Sequence, residues 1–462
     1  MKYDENNLKS VVEYARRLEG NTLRDADIDY DVVSGGNKGQ LGQIVEKYYF
    51  EKELNSRQEP DFVSIGLELK VCPIKKIRPV TRSAYLIKRM GLSAKERIVI
   101  TKINYEIISK EEWDVAYVRE KLNLLLMFYI HDHEKELDEL PFFLVNDWYP
   151  NKKDLDIIRR DWHIIKNKIT EGKAHEISEG DTMYLGACTK GASSKKGVKQ
   201  PFNNIEAKER AFSLKRSYVD FIIEDLLKSR NNIEEKDVRD IDFSITLLLE
   251  IKNNIGKKLS NLVKKYKLER ERLAKNYLNL IAIDMLETIY GDKVSNIEEF
   301  NKAGIEIKCI LISPNGVPKE HMSFEQIRYI DIIEEEWETS TIRDKLENKK
   351  QLWIVYKANK DYIRQSELEL NDITLYTAFY WNMPIQDLDH DYYELWRDTV
   401  SKIKEGNYDG FMKSTENRVG HIRPKARDSK DLMETPQGTY EKKKSFWLNR
   451  SYIAEVIEKN RI

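Results

Sequence analysis

Hydrophobic and charged positions alternate along GLELKV (Gly66–Val71), with Leu67, Leu69 and Val71 on one side and Glu68 and Lys70 on the other. That period of two predicts a half-buried strand. RIVITKINY (Arg97–Tyr105) and the almost wholly apolar LNLLLMFYI (Leu122–Ile130) predict two further strands. The amphipathic run KGQLGQIVEKYYFEKEL (Lys38–Leu54), with Gly35, Gly36 and Gly39 at its start, instead predicts a helix. Helices, then strands, then helices again give a sheet-centred α/β or mixed α+β core.

The pattern occurs twice. AFSLKRSYV from Ala211 aligns with SFWLNRSYI from Ser445 at an offset of 234, pairing Phe212 with Phe446 and Arg216, Ser217 and Tyr218 with Arg450, Ser451 and Tyr452. The same offset pairs Trp162 with Trp396 and Glu171-Gly172 with Glu405-Gly406, each near the glycine-closed end of a predicted helix. Upstream, EEWDVAYVREKL from Glu111 matches EEWETSTIRDKL from Glu335, and DFVSIGLELK from Asp61 matches EFNKAGIEIK from Glu299, at other offsets. Two tandem copies of one fold are expected, 1–232 and 233–462, each a central mixed sheet flanked by helices, meeting near the polar stretch KSRNNIEEKDVRD.

Composition changes this picture little. Of 462 residues, 40% are hydrophobic and 34% charged, which fits a folded protein with a heavily charged surface. The net charge of −1 does not announce a nucleic-acid partner, so any such contact must come from local basic patches. No stretch approaches a membrane span and the charged N-terminus has no apolar core of a leader, so a cytoplasmic protein is expected. Cys72, Cys188 and Cys309 are far apart and predict reduced thiols rather than a zinc site. His131 and His133 in IHDHE read more readily as a solvated loop after a strand than as metal ligands.

The chemistry concentrates in the first copy. Asp61 and Glu68 are expected to bracket a short strand, and Lys70 shares the face of Glu68. A carboxylate pair with a nearby ammonium suits phosphodiester hydrolysis: hard oxygens hold magnesium at the phosphate, and the ammonium orients the attacking water and stabilises developing charge. In so charged a chain this spacing alone is weak, and a solvated strand face produces it too. On periodicity alone Glu46 is a surface residue.

KGQLGQIVE, followed by DFVSIGLELK and then the lysine of VREKL, resembles the MutH family of DNA endonucleases. That family includes the mismatch-repair nicking enzyme and larger two-domain type II restriction endonucleases cleaving at GATC, all of the restriction-endonuclease-like fold. The resemblance implies Glu46, Asp61, Glu68, Lys70 and Lys121 as catalytic residues, with Asp61, Glu68 and Leu69 as metal positions for Mg2+ (Mn2+ as a substitute). It also implies DNA contacts from Lys38 and from the R-P-K loop Arg423, Pro424 and Lys425, for which the first copy has Thr189, Lys190 and Gly191. Arginine suits guanine edges and lysine suits phosphates.

The second copy keeps Glu306, Lys308 and Lys345, but Glu299 replaces Asp61 and Lys264 replaces Glu46, so a catalytically dead DNA-binding domain is expected. The implied activity is a type II restriction endonuclease acting on double-stranded DNA beside a cognate methyltransferase. One active site per chain calls for two chains meeting on DNA. The alternatives are a repair-type nicking enzyme and, from another class, a non-catalytic DNA-binding regulator.

Overall fold

A computed structural model of the chain describes residues 2–28, 39–54, 59–80, 85–189, 197–230, 243–268, 276–291, 293–294 and 298–461. The expected domain boundary near residue 232 lies outside them. The chain divides into two compact units, 1–237 with 301–304, and 238–300 with 305–462. Both have the expected mixed α/β architecture.

In the first unit the strands are β1 (Glu68–Lys76), β2 (Leu92–Ala94), β3 (Ile98–Lys102), β4 (Leu124–Ile130), β5 (Phe142–Trp148), β6 (Leu185–Thr189), β7 (Gly197–Gln200), β8 (Asn203–Lys208) and β9 (Arg210–Leu214). They form a sheet of order β2-β1-β4-β5, a second of order β3-β9-β6, and the hairpin β7-β8. Among these named strands β1 and β4 pair in parallel, with Glu68 opposite Leu124 and Lys70 opposite Leu126. Because β4 is buried along Leu124–Phe128, β1 is a central strand, and Glu68 itself is only 3% exposed. The strand is half-buried along its length, as the alternation predicts, although Glu68 falls among its buried positions. It also runs on through Pro73, which lacks a ladder donor but still accepts from the Lys95 amide at 2.9 Å.

The predicted helix 38–54 is shorter in the structure, an α-turn Gln40–Ile44 continued as wider turns over Val45–Tyr49. Glu51, with φ 56°, leaves the helical region and ends it. Leu41, Ile44, Val45 and Tyr49 pack with Leu67, Leu69, Leu125 and Met127 beneath the sheet. The long helix Lys152–Thr170 is capped by the Asn151 side chain, which accepts from the Asp154 amide. It closes at Gly172, whose φ is 71° and where an added Cβ would lie 2.8 Å from the Phe202 carbonyl oxygen, leaving no space for a side chain.

The second unit repeats this plan with β10 (Glu306–Ile312), β11 (Met322–Gln326), β12 (Gln351–Ala358), β13 (Ile373–Trp381), β14 (Gly420–Pro424), β15 (Leu432–Glu434), β16 (Tyr440–Lys442) and β17 (Lys444–Leu448). Its sheets are β10-β12-β13 and β11-β17-β14, with the hairpin β15-β16. The repeat extends to single contacts. Tyr218 donates to Asp154 at 2.9 Å and Tyr452 to Asp387 at 2.8 Å. Trp113 packs on Trp162 with ring centroids 5.8 Å apart, and Trp337 on Trp396 at 5.5 Å. Among the described residues no helix is long and apolar enough to cross a membrane.

Candidate active site

The six residues between Asp61 and Glu68 form a tight loop, not the short strand expected there, and the strand begins only at Glu68. Phe62 and Leu67 bond to each other through both backbone amides, at 2.9 and 3.2 Å, around the short helical turn Val63–Ile65 and Gly66 at φ 59°. The Asn123 side chain fastens the loop from outside, donating to the Gly66 carbonyl at 3.0 Å. Closure carries the Asp61 carboxylate back to the strand, where it accepts from the Leu69 amide at 2.8 Å. The spacing of Asp61 and Glu68 is thus the length of one closed loop.

Lys70 reaches Glu68 Oε1 at 2.7 Å along the strand face, as the alternation predicts. Lys121 comes from the turn just before β4 and places Nζ 3.2 Å from Glu68 Oε1 and 3.1 Å from Oε2. The approach to Oε2 is not aligned as a hydrogen bond, so that oxygen is buried without a hydrogen-bond partner. Glu46 is half-buried rather than a surface group. Burial and the charges of Asp61 and Glu68 push its carboxyl up to about 7, against the pull of Lys70 and Lys52. Asp61 is also raised, by burial first and by Glu68 second, against the bond from the Leu69 amide. Three carboxylates therefore share one partly buried field with two ammonium groups closing on Glu68.

Among the described residues no group of three or more His, Cys, Asp or Glu side chains is drawn together tightly enough to hold a metal ion. The expected set asks for less, two carboxylates and Leu69. Hard, crowded oxygens with one orphaned buried atom on Glu68 fit a small divalent cation. His131 and His133 follow β4 outside regular structure, in the loop expected of them. Cys72 and Cys188 are buried free thiols, and burial pushes Cys72 up to about 12.

Lys38 and Lys190 lie outside the described residues, and Thr189 ends β6 half-buried opposite Arg210. Arg423 and Pro424 end β14 with exposed side chains, and the Arg423 guanidinium lies 5.0 Å over the Trp447 ring. Lys425 donates from Nζ to the Phe324 carbonyl at 2.5 Å. Asn123 was not singled out by sequence reasoning; an amide before an apolar strand carries no signal of its own.

The description "DNA mismatch repair enzyme MutH" belongs to a family model that matches the chain twice, over residues 50–161 and 292–391. In both matched stretches the chain is similar to the MutH family. The first matched stretch holds Asp61, Glu68, Lys70 and Lys121, and the second the corresponding strand and turn of the other unit. Over 91% of its length the chain is 29% identical to the type II restriction enzyme Sau3AI of Staphylococcus aureus, 93% of which is covered. It is 24% identical over 41% of its length to the DNA mismatch repair protein MutH of Shewanella woodyi, covering 77% of that protein. MutH of Photorhabdus laumondii is 26% identical over 34% of the chain and 64% of its own length. A likeness that spans both units of a MutH-like chain is thus found with a restriction enzyme, whereas that to the repair proteins covers less than half of it.

Proposed function

We propose that the chain is a type II restriction endonuclease that hydrolyses both strands of DNA at GATC, with Mg2+ as cofactor and Mn2+ as a substitute. The observation that carries this reading is the convergence of Lys70 and Lys121 on Glu68, beside Asp61, in a chain whose likeness to a restriction enzyme extends over 91% of its length. Asp61, Glu68 and the Leu69 backbone would hold the cation. When bound, it supplies Lewis-acid activation of water and neutralises charge at the scissile phosphate. Lys70 orients the attacking water and steadies the developing charge, and Lys121 holds Glu68 while lending a second positive charge. Glu46, half-protonated near neutrality, stands ready to take a proton beside the metal positions.

The second unit binds DNA without cutting it and regulates the first. Arg423, held over the Trp447 ring, presents a fork suited to guanine. Pro424, Lys425, Thr189, Lys38 and Lys190 contribute further contacts. Two chains meet on the palindrome to cut both strands, a methyltransferase of the same specificity protects host DNA, and the protein works in the cytoplasm.

The test is digestion in magnesium of one plasmid with GATC sites and of the same plasmid with those sites removed. Linear products from the first alone, mapped to GATC, are expected. Nicked circles only favour the repair-type activity, and intact plasmid with DNA binding favours the non-catalytic regulator.

A further inference from the structure

The second unit keeps the strand that carries Glu68 but surrounds its counterpart differently. Glu306 opens β10 opposite Gln351, as Glu68 opens β1 opposite Leu124. Lys308 Nζ lies 3.4 Å from Glu306 Oε2 and Lys345 Nζ 3.5 Å from the same oxygen, repeating Lys70 and Lys121. A third ammonium, that of Lys349, sits 3.0 Å from Oε1. Its origin is an insertion. Lys121 precedes Leu124 by three positions and Lys345 precedes Gln351 by six, so the second copy has gained three residues there.

A fourth lysine comes from the loop after β14, where Lys425 Nζ is anchored on the Phe324 carbonyl at 2.5 Å. The next residue, Glu325, pairs with Lys345. Glu325 stands where the first unit has Thr101, since Met322 and Ile98 hold the same register against Leu448 and Leu214. Four ammonium groups therefore face two carboxylates. A network serving only to hold the fold would balance its charges; this one has two positive charges in excess. It is also partly open, with the Lys349 side chain 38% exposed. Both Glu306 oxygens already lie within 3.5 Å of an ammonium, which repels a divalent cation and attracts an anion.

We propose that this cluster is a preformed seat for a backbone phosphate of DNA, in which lysine ammonium groups stand where the first unit would use a metal. The inference rests on the reading that the second unit binds DNA, and adds how: through Lys308, Lys345, Lys349 and Lys425, without divalent ions. Arg423, two residues before Lys425, places a base-reading group next to this phosphate contact. Glu325 competes with the phosphate for Lys345.

The experiment uses the full chain carrying Asp61→Ala, titrated with duplex DNA in EDTA and separately in calcium, over a range of salt concentrations. Adding Lys349→Gln and Lys425→Gln together is expected to weaken binding in EDTA about tenfold and to reduce the salt slope by roughly one. Glu325→Gln is expected to tighten binding about threefold, a gain that mere damage to the fold does not produce. An unchanged affinity and salt slope in the lysine variant, or weaker binding by Glu325→Gln, overturns the proposal. Binding only with calcium overturns this proposal and leaves DNA binding standing; no binding under either condition overturns both.

Discussion

Lys121 Nζ lies 3.2 Å from Glu68 Oε1, and the two residues are only 7% and 3% exposed. A buried charge pair at the mouth of a strand is costly to break from one side, because the remaining charge keeps its desolvation cost. Lys121→Ala is expected to lower unfolding free energy by about 1–3 kcal/mol and cleavage by roughly a hundredfold. Denaturant unfolding and single-turnover cleavage read the two effects. Cleavage at the parent rate would remove Lys121 from the site.

Divalent ions should stabilise the first unit. Asp61 and Glu46 are both raised by burial and by neighbouring carboxylates, and a bound cation relieves that repulsion. At a hundred times its dissociation constant magnesium would add about 2.7 kcal/mol, seen as a higher melting temperature. In Asp61→Asn the increment should disappear. An equal rise in parent and variant would place the ion elsewhere.

Much of this site is visible in the sequence, and what is hidden has identifiable causes. The repeat and the pairing of Glu68 with Lys70 follow from spacing and strand period, whereas the loop from Asp61 to Glu68 reads as a short strand because the closure of Phe62 on Leu67 leaves no periodic signal. Lys121 is reached only through a resemblance, since its contact with Glu68 depends on the parallel pairing of β1 with β4. Glu46 reads as exposed because helical period cannot see the carboxylates of Asp61 and Glu68 that the fold brings near it. Lys349 stays hidden because an insertion leaves no motif, and its meaning appears only once Glu306 and Gln351 are found in register.

Asp161 tests the scaffold of the first unit. Its buried carboxylate accepts from the amides of Met183, Tyr184 and Leu185 at 2.8, 2.6 and 2.9 Å, tying the long helix to the start of β6. Asp161→Ala leaves three amides without that acceptor and should cost about 3 kcal/mol. Urea unfolding with a midpoint close to the parent value would show that water replaces the carboxylate.

The second unit should weaken in mild acid. His421 is buried and bonded to Asn449 at 2.7 Å, and burial holds its imidazole down at about 4. The neighbouring His321 is also lowered, by burial and by Arg423. Between about pH 6.5 and 4 the unfolded chain binds protons that the folded unit does not, so stability falls as pH falls through that window. His421→Asn should flatten the dependence of unfolding on pH; an unchanged profile would assign it to other groups.

The central claim is that Asp61 belongs to a metal-dependent hydrolytic site, and single-turnover cleavage of a GATC duplex in magnesium by the intact chain and by Asp61→Ala tests it most directly. The account predicts cutting by the intact chain, a loss of at least roughly a hundredfold in the variant, and DNA binding retained by both. A variant that binds and cuts like the parent would contradict it.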